Sequence, residues 1–532
     1  MPRVKTRLLE FCQEGFLLTQ PPWTIADDEP VAMARPHAVA IPLPAQGHLN
    51  PLMRLCKALA SRHGFLITFV NIQPIHNRIL ECIQPSDASA NPNFSQFHDD
   101  GHDGGAPSSS IRRLSIPIAG LDLDNDFRLS FADFLLATKS LSKPLEALLQ
   151  SIHQKDSGLP PVTCLISDSF MSGAVQGVAE MLEIPWVSYF PCSQSMNLLY
   201  LYIHSGRIAL QDAIRMSVER DKPFDMFIDG LPGLPPLRNR DMPPYKHVVE
   251  ESPRIIPLMV SLCVTANEKA SAILVNTFEE IEGQAMRVMA DQLVTPSLFA
   301  VGPLVDVLEG ENNTSLWREE SHCLHWLDAQ PPRSVLYISF GSITLLSKEQ
   351  FAEIVHGLWN SGHRFLWAFR PDLVQGHQES NDNKFSVFPK KFVEATKGRS
   401  CFVGWAPQTR VLSHSSVGGF LTHCGWNSTI EAIAAGVPML CWPYLCDQHT
   451  NAKFIGEVWE VGLRFECAVG QGSSLVGREE VMRVVCNLMN QGEEGTLLHK
   501  RSMLLRRAAL CSLQANGSFN CQLQAFVQHI CK

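Results

Sequence analysis

Short runs of consecutive apolar residues alternate with segments of helical periodicity along most of the chain. The first such runs span 38–41, 65–70, 162–166, 187–190 and 272–275. They are apolar at successive positions, as strands covered on both faces are. After the first run, apolar residues recur at helical spacing from Leu49 to Leu59, and Asn50-Pro51 marks the expected helix start. Strands that alternate with helices in this way predict an α/β fold with a doubly wound parallel sheet.

A second series of apolar runs begins near Phe299. Its strands are predicted at 335–340, 365–369, 401–403, 419–422 and 439–442, and the polar segment 306–321 is predicted to be a loop. Two series predict two sheet domains that face each other across a cleft, with ligands bound beyond the carboxyl ends of the strands. We place the first domain at 34–296 and the second at 297–503. Residues 1–33 lack periodicity and are expected to form a disordered extension.

Composition and charge narrow the functional classes. The 532 residues include 44 Lys and Arg against 53 Asp and Glu, and this net charge of −9 argues against a nucleic-acid partner. The 16 Cys are too sparse for a disulfide scaffold, and neither CxxC nor HExxH occurs, so we expect no metal site. No apolar stretch is long enough to cross a membrane, and the N-terminus has no signal-peptide pattern, so we expect a cytoplasmic protein.

Nucleotide-binding fingerprints of two common kinds are missing from the sequence. There is no GxGxxG after a predicted strand and no GxxxxGK[ST]. Glycines in these patterns let a backbone approach phosphates closely, so their absence argues against a nicotinamide-dependent dehydrogenase and a P-loop kinase.

Residues 405–448 combine the groups that a nucleotide sugar needs. A predicted strand leads into a helix that opens at 426–429, and a helix N-terminus suits a phosphate. Side chains able to stack on a base or to hydrogen-bond phosphate, ribose and sugar surround this helix start: Trp405, His423, Asn427, Ser428, Glu431, Asp447 and Gln448. By spacing alone, the same residues could equally be core and capping residues.

This stretch closely resembles the 44-residue signature box of plant UDP-dependent family 1 glycosyltransferases, which act in secondary metabolism. The resemblance runs from about Arg35 to the C-terminus and includes the segment 340–342. It implies a GT-B fold, in which two Rossmann-like domains face each other across an interdomain cleft. The second domain then binds the donor, and the first binds the acceptor. It also implies that a C-terminal helix at about 504–532 completes the first domain.

The family's donor-binding roles carry over to the matching residues. The resemblance implies that Trp405 stacks on uracil, that Ala406 and Gln408 contact uracil and ribose, and that Glu431 holds the ribose hydroxyls. For the diphosphate it implies contacts with Ser342, His423, Asn427 and Ser428, next to Gly425, and for the sugar contacts with Trp426, Asp447 and Gln448. A closing Gln at 448 is typical of glucose rather than galactose.

Two residues of the first domain match the family's catalytic positions. His48, in Pro-Ala-Gln-Gly-His, follows the first strand and lies near a helix start, which keeps the imidazole neutral and able to accept a proton. Asp168 follows the strand at 162–166 and is expected to orient the imidazole, by the logic of Ser-His-Asp systems. The alternatives are that His48 is a purely structural histidine and that Asp168 is an ordinary strand-end cap.

The segment after the next strand departs from the family pattern. Many relatives carry Thr where this chain has Pro191, so a sugar contact is expected to be missing or passed to Ser193. The first domain is expected to line the acceptor pocket with apolar residues, among them Phe94, Phe97, Phe170, Met171, Tyr189 and Phe190. The alternative for each of these is a place in the core.

Together these features predict inverting transfer of glucose from UDP-glucose to a hydroxyl of a small hydrophobic acceptor, a terpenoid, flavonoid or other phenolic, giving a β-glucoside. UDP-glucose is a co-substrate, and neither a metal nor another cofactor is expected. We expect a monomer without stable membrane insertion. The alternatives are the same chemistry with another UDP-sugar, and a catalytically silent UDP-sugar-binding protein. The silent protein predicts damage to His48 or Asp168, and both are present.

Overall fold

The computed structural model describes residues 35–83, 110–118, 135–154, 157–218, 227–244, 255–293, 296–305, 314–376, 385–466, 475–490 and 492–532. The predicted extension at 1–33 and the predicted acceptor residues Phe94 and Phe97 lie outside these ranges.

Helices and strands that pair in parallel, apart from the antiparallel two-stranded sheet β6-β7, make up most of the described part of the chain. The strands are β1 His37–Ile41, β2 Leu66–Ile72, β3 Ile111–Ile116, β4 Val162–Asp168, β5 Trp186–Phe190, β6 Phe227–Ile228, β7 Leu237–Arg238, β8 Ala272–Val275, β9 Ser297–Ala300, β10 Val335–Ser339, β11 Arg364–Ala368, β12 Ser400–Val403, β13 Val417–Thr422, β14 Met439–Cys441 and β15 Gly462–Arg464. The helices are α1 Gln46–His63, α2 Gln73–Ile83, α3 Ser142–Ile152, α4 Ser172–Met181, α5 Gln194–His204, α6 Leu210–Val218, α7 Ile255–Lys269, α8 Glu279–Gln292, α9 His322–Asp328, α10 Lys348–Ser361, α11 Lys390–Thr396, α12 Gln408–Leu412, α13 Trp426–Ala435, α14 Gln448–Lys453, α15 Arg478–Met489, α16 Glu493–Ser512 and α17 Ser518–Ile530.

The first sheet has the order β3-β2-β1-β4-β5-β8-β9, and all of its neighbouring strands pair in parallel. Strands β1, β4, β5 and β8 are buried along most or all of their length, as their apolar runs predict. Strand β9 corrects the domain boundary that we set at 297. Ala272 pairs with Ser297 and Val275 with Ala300, so β9 extends the first sheet and the first domain continues to Ala300.

The second sheet has the order β12-β11-β10-β13-β14-β15 and is also parallel throughout. Its strands from β10 to β14 coincide with the five predicted runs within one or two residues at each end. The two sheets confirm the predicted α/β class with two Rossmann-like domains. Because all neighbours are parallel, the carboxyl ends of the strands within a sheet lie along one edge, where ligands of such folds bind.

The C-terminal segment divides between the two domains. Helix α16 places Leu505 and Ala509 in the core of the second domain, on the side that holds Ile430. Helix α17 packs on β9 of the first domain, with Phe526 5.8 Å from Phe299 between ring centroids. The prediction that the return to the first domain begins at about 504 is therefore wrong, because the apolar face of α16 is already buried against the second domain.

Helix α1 begins earlier than its proline suggested. The N–H groups of His48 and Leu49 both donate to the Ala45 carbonyl, at 2.8 and 2.9 Å, so the helix starts at Gln46 and contains Pro51. His48 therefore lies in the first turn of α1. Pro51 has no N–H, so the helix itself offers no donor to the Gly47 carbonyl four residues earlier.

Candidate active site

A histidine–aspartate pair lies at the carboxyl edge of the first sheet. Strands β1 and β4 are neighbours, so α1, which follows β1, brings His48 beside Asp168 at the end of β4. The His48 Nδ1–H donates to Asp168 Oδ2 at 2.7 Å, and the other carboxylate oxygen accepts from the Phe170 N–H at 2.9 Å. The Asp168 side chain is fully buried, whereas His48 is 17% exposed. This geometry fixes the tautomer and leaves Nε2 as the nitrogen that can accept a proton.

Aromatic residues of the first domain surround the pair. The Phe170 ring lies edge-on to His48 at 6.0 Å, and Phe190 lies 6.3 Å from Phe170. All four predicted acceptor residues described here, Phe170, Met171, Tyr189 and Phe190, belong to the buried core of this domain. Phe170 is in contact with the predicted base. The Tyr189 hydroxyl has no hydrogen-bond partner in the described structure, and burial raises its pKa well above the usual value.

Helix α13 of the second domain begins opposite this pair. Thr429 is the first residue whose N–H is bonded within the helix, to the Gly425 carbonyl at 2.9 Å, so the N–H groups of the preceding turn have no intrahelical acceptor. The Asn427 amide donates across the domains to the Gly47 carbonyl, the one that Pro51 leaves without a helical donor. This hydrogen bond therefore holds the backbone next to His48 against the helix start that is predicted to bind phosphate.

The His423 ring is held between two glycines. A Cβ on Gly341, whose φ is +69°, would lie 2.5 Å from the ring, and a Cβ on Gly425 would lie 2.4 Å from it. Any side chain at either position would therefore displace His423. Burial lowers the pKa of His423 to about 4, and its Nδ1 has no partner in the described structure. Ser342 follows Gly341 in the same loop, next to the predicted diphosphate position.

Glu431 is the centre of a hydrogen-bonded group at the predicted ribose position. Gln408 Nε2 donates to Glu431 Oε2 at 2.7 Å and to Ser428 Oγ at 2.8 Å, and the Tyr337 hydroxyl donates to Gln408 Oε1 at 3.2 Å. Arg54 of α1 donates to the other oxygen of Glu431 at 2.7 Å. The sequence did not indicate Arg54, because a charged residue in a helix is expected to lie on the solvent-exposed face.

Trp405 has an aromatic neighbour that the sequence did not suggest. Trp317 stacks on it, with ring centroids 4.5 Å apart and planes 18° apart. Trp317 lies within the segment predicted as a polar loop. An isolated Trp in such a polar segment was the one sequence feature that could have indicated a role for it. The Glu320 N–H donates to the Trp405 carbonyl at 2.8 Å and holds this segment in place. Ala406, next to Trp405, is buried.

Asp447 and Gln448 stand where the sugar is predicted to bind. Burial raises the pKa of Asp447 to about 6, against the opposing effects of the Asn451 amide and of positive charge on His48. Gln448 Oε1 accepts from the N–H groups of Tyr444 and Leu445, at 2.8 and 2.9 Å, so its amide nitrogen is the group left to contact a sugar.

The side chains of two residues considered as sugar contacts, Trp426 and Ser193, are buried and hydrogen-bonded within the protein, and a sugar contact of Trp426 stays a prediction. The Trp426 side chain is buried in the core of the second domain, and its indole N–H donates to the Asn276 carbonyl at 2.8 Å, so only its backbone can reach a ligand. Ser193 is also buried, and its hydroxyl caps α5 by accepting from the Met196 N–H at 3.3 Å. The hydroxyl that Pro191 lacks is therefore not supplied by Ser193. The neighbouring Cys192 thiol opposes, as the smallest of several causes, the rise in the pKa of Asp447 that burial produces.

The described residues contain neither a membrane-spanning helix nor a cluster of metal-ligating side chains. No described helix has the length and apolar character to cross a bilayer. Within the same ranges, no three His, Cys, Asp or Glu side chains come together in a way that could hold a metal ion.

Two family models match the chain, one on each domain. Residues 36–219 match the glycosyltransferase N-terminal domain, and residues 305–476 match the UDP-glucoronosyl and UDP-glucosyl transferase family. Together the matches contain both members of the histidine–aspartate pair and the whole of the predicted donor site.

Known plant proteins are similar over nearly the whole chain. UDP-glycosyltransferase 85A7 of Arabidopsis thaliana is 37% identical and covers 89% of this chain and 92% of its own length. The 7-deoxyloganetin glucosyltransferase of Catharanthus roseus is 35% identical over 93% of this chain and 96% of its own. The structure of Phytolacca americana UGT2 with UDP-2-fluoro-glucose and pterostilbene superposes with a TM-score of 0.73, at 30% identity, and covers 93% of this chain and 100% of that one.

Proposed function

The chain belongs to the plant UDP-glycosyltransferases, and we propose that it transfers glucose from UDP-glucose to a hydroxyl of a small hydrophobic acceptor, with inversion at the anomeric carbon. The observation that carries this proposal is the arrangement of the two half-sites. The His48–Asp168 pair of the first domain lies against the start of α13, to which Asn427 ties it through the Gly47 carbonyl.

The proposed reaction is a single in-line displacement. His48 Nε2 takes the proton of the acceptor hydroxyl as that oxygen forms a bond to the anomeric carbon. The bond from this carbon to the β-phosphate oxygen breaks, and UDP leaves with the electron pair. Asp168 stabilises the imidazolium that forms. The N–H groups that open α13 face the leaving diphosphate, whose negative charge they stabilise. One displacement converts an α-linked donor into a β-glucoside.

Glucose is supported as the donor sugar by two observations. Gln448 is held by two backbone N–H groups so that it presents its amide donor. The Catharanthus relative is named a glucosyltransferase, and the Phytolacca structure holds UDP-2-fluoro-glucose. A hydrophobic acceptor is supported by the Phe170 ring beside His48. We propose that the reaction needs no metal, with the diphosphate held by helix α13 and its neighbours.

The test is acceptor-dependent release of UDP from UDP-glucose, measured with a panel of phenolic and terpenoid alcohols for the wild type and His48→Ala. We expect release that requires an acceptor and is lost in the variant, while both proteins bind UDP in titration calorimetry. Equal release by both proteins would refute the role of His48. A wild type that binds UDP but stays silent with UDP-glucose, UDP-galactose and UDP-xylose would favour the silent binding protein.

A further inference from the structure

One stripe of α1 contacts both the segment that carries Trp317 and the predicted ribose position. Gln46, Asn50 and Arg54 are spaced four residues apart and so lie on one face of the helix. Gln46 accepts from the Leu316 N–H at 2.8 Å, and Asn50 accepts from the Thr314 hydroxyl at 2.7 Å. These two contacts hold the segment that carries Trp317. The third member of the stripe, Arg54, reaches the predicted ribose position itself.

The contact of Arg54 with Glu431 is a partly desolvated ion pair between the domains. Arg54 Nη1 lies 2.7 Å from Glu431 Oε1, and the same nitrogen donates to the Leu304 carbonyl at 3.2 Å. The side chains are 11% and 7% exposed, respectively. Charge-assisted hydrogen bonds in such surroundings are stronger and more directional than those between neutral groups. The mechanism proposed above does not use Arg54.

We propose that Arg54 is a positioning residue that orients the Glu431 carboxylate for the ribose hydroxyls, so that the first domain completes the nucleotide site. The inference rests on the proposed function, because it takes a uridine nucleotide as the ligand. Arg54 fixes Oε1 and Gln408 fixes Oε2, which leaves one lone pair on each oxygen for a hydroxyl. Without Arg54, a buried carboxylate lacks its charged partner and can rotate away from the ribose.

The first experiment compares UDP binding and steady-state kinetics for wild type, Arg54→Met and Arg54→Lys. Loss of a hydrogen bond to a charged group predicts that Arg54→Met raises the Kd for UDP and the KM for UDP-glucose by about tenfold or more. We expect kcat to change much less, because the His48–Asp168 pair is intact, and Arg54→Lys to recover part of the affinity. Arg62→Met is the matched control. Arg62 lies two turns further along α1 and bonds to Asn520 of α17, away from the donor.

The second experiment asks whether Arg54 acts through the carboxylate and the ribose. Two separate settings are used: UDP binding to proteins that carry Glu431→Gln, and binding of 2′,3′-dideoxy-UDP to proteins that keep Glu431. In each setting, Arg54→Met should no longer weaken binding by more than about twofold. The double variant also removes the unpaired charge, so it remains usable if Arg54→Met alone folds poorly. An Arg54→Met loss of the same size in all settings, or no loss, would overturn the inference. Failure of the wild type to bind UDP would instead refute the proposed function.

Discussion

Replacing Asp168 by Asn tests the catalytic pair most directly. The Phe170 N–H at 2.9 Å requires an oxygen at the position of Oδ1, so the amide nitrogen of the new side chain must occupy the position of Oδ2. It then faces His48 Nδ1, the atom that donates to Asp168 at 2.7 Å in the wild type. Two donors cannot share that contact. The imidazole proton therefore moves to Nε2, the nitrogen that must be free to act as the base.

The magnitude follows from the charge that is removed as well as from the tautomer. A carboxylate about 4 Å from an imidazolium, at an effective dielectric constant of about 20, contributes about 4 kcal/mol, or roughly a thousandfold in rate. The wrong tautomer adds to this loss. Asp168→Ala loses the charge but leaves Nδ1–H free to bond to water, because His48 is 17% exposed. We therefore expect Asp168→Asn to be at least as inactive as Asp168→Ala.

The assay is the initial rate of UDP release at saturating UDP-glucose and acceptor, with UDP affinity measured in parallel. Both variants should bind UDP as the wild type does, because the described hydrogen bonds of Asp168 go to His48 and Phe170, which belong to the first domain. An Asn variant that keeps more than about a tenth of the wild-type kcat would refute the assignment of His48 Nε2 as the base, since about 4 kcal/mol was expected.

Other parts of the site give further predictions. Trp405→Ala should weaken UDP binding by ~1–3 kcal/mol in calorimetry, and unchanged binding would exclude base stacking there. Gln448→His removes the acceptor of two backbone N–H groups and should shift the ratio of glucose to galactose transfer in competition assays; an unchanged ratio would mean that the sugar is read elsewhere. The pKa of Asp447, raised to about 6, predicts that its carboxylate takes up a proton as the pH falls from about 7 to 5. The KM for UDP-glucose should rise over that window in the wild type and stay flat in Asp447→Asn. EDTA should leave turnover unchanged, and a metal requirement would contradict the proposed mechanism.

The sequence predicted those elements whose signal is local. Continuous apolar runs located the inner strands of both sheets, and the resemblance to the family identified His48 and Asp168, each just after a predicted strand. It could not reveal which sheet β9 joins, because the same apolar run fits either edge and only the pairing with β8 decides. Strand β15 was missed because three residues that end in an arginine carry too little pattern.

Side-chain partners far apart in the chain were predictable only where the family pattern marks both residues, as it does for His48 and Asp168. Trp426 matched a binding position, yet its indole N–H bonds to Asn276, 150 residues away in the chain. Arg54 and Glu431 are 377 residues apart, and neither residue alone indicates the other. Long-range pairs of this kind come from the way the two domains face each other.

The contacts of α1 with the second domain bear on how chimaeric enzymes should be built. Exchanging first domains between relatives is an attractive way to change the acceptor, because the two sheets are separate along most of the chain. A junction before Ala300 would separate β9 from its sheet. The transferred first domain also has to include α17, because this helix packs on β9. Such an exchange also imports a new α1, and with it the partners of Gly47 and Arg54. Donor affinity is therefore expected to change together with acceptor choice unless the α1 stripe of the recipient is grafted back.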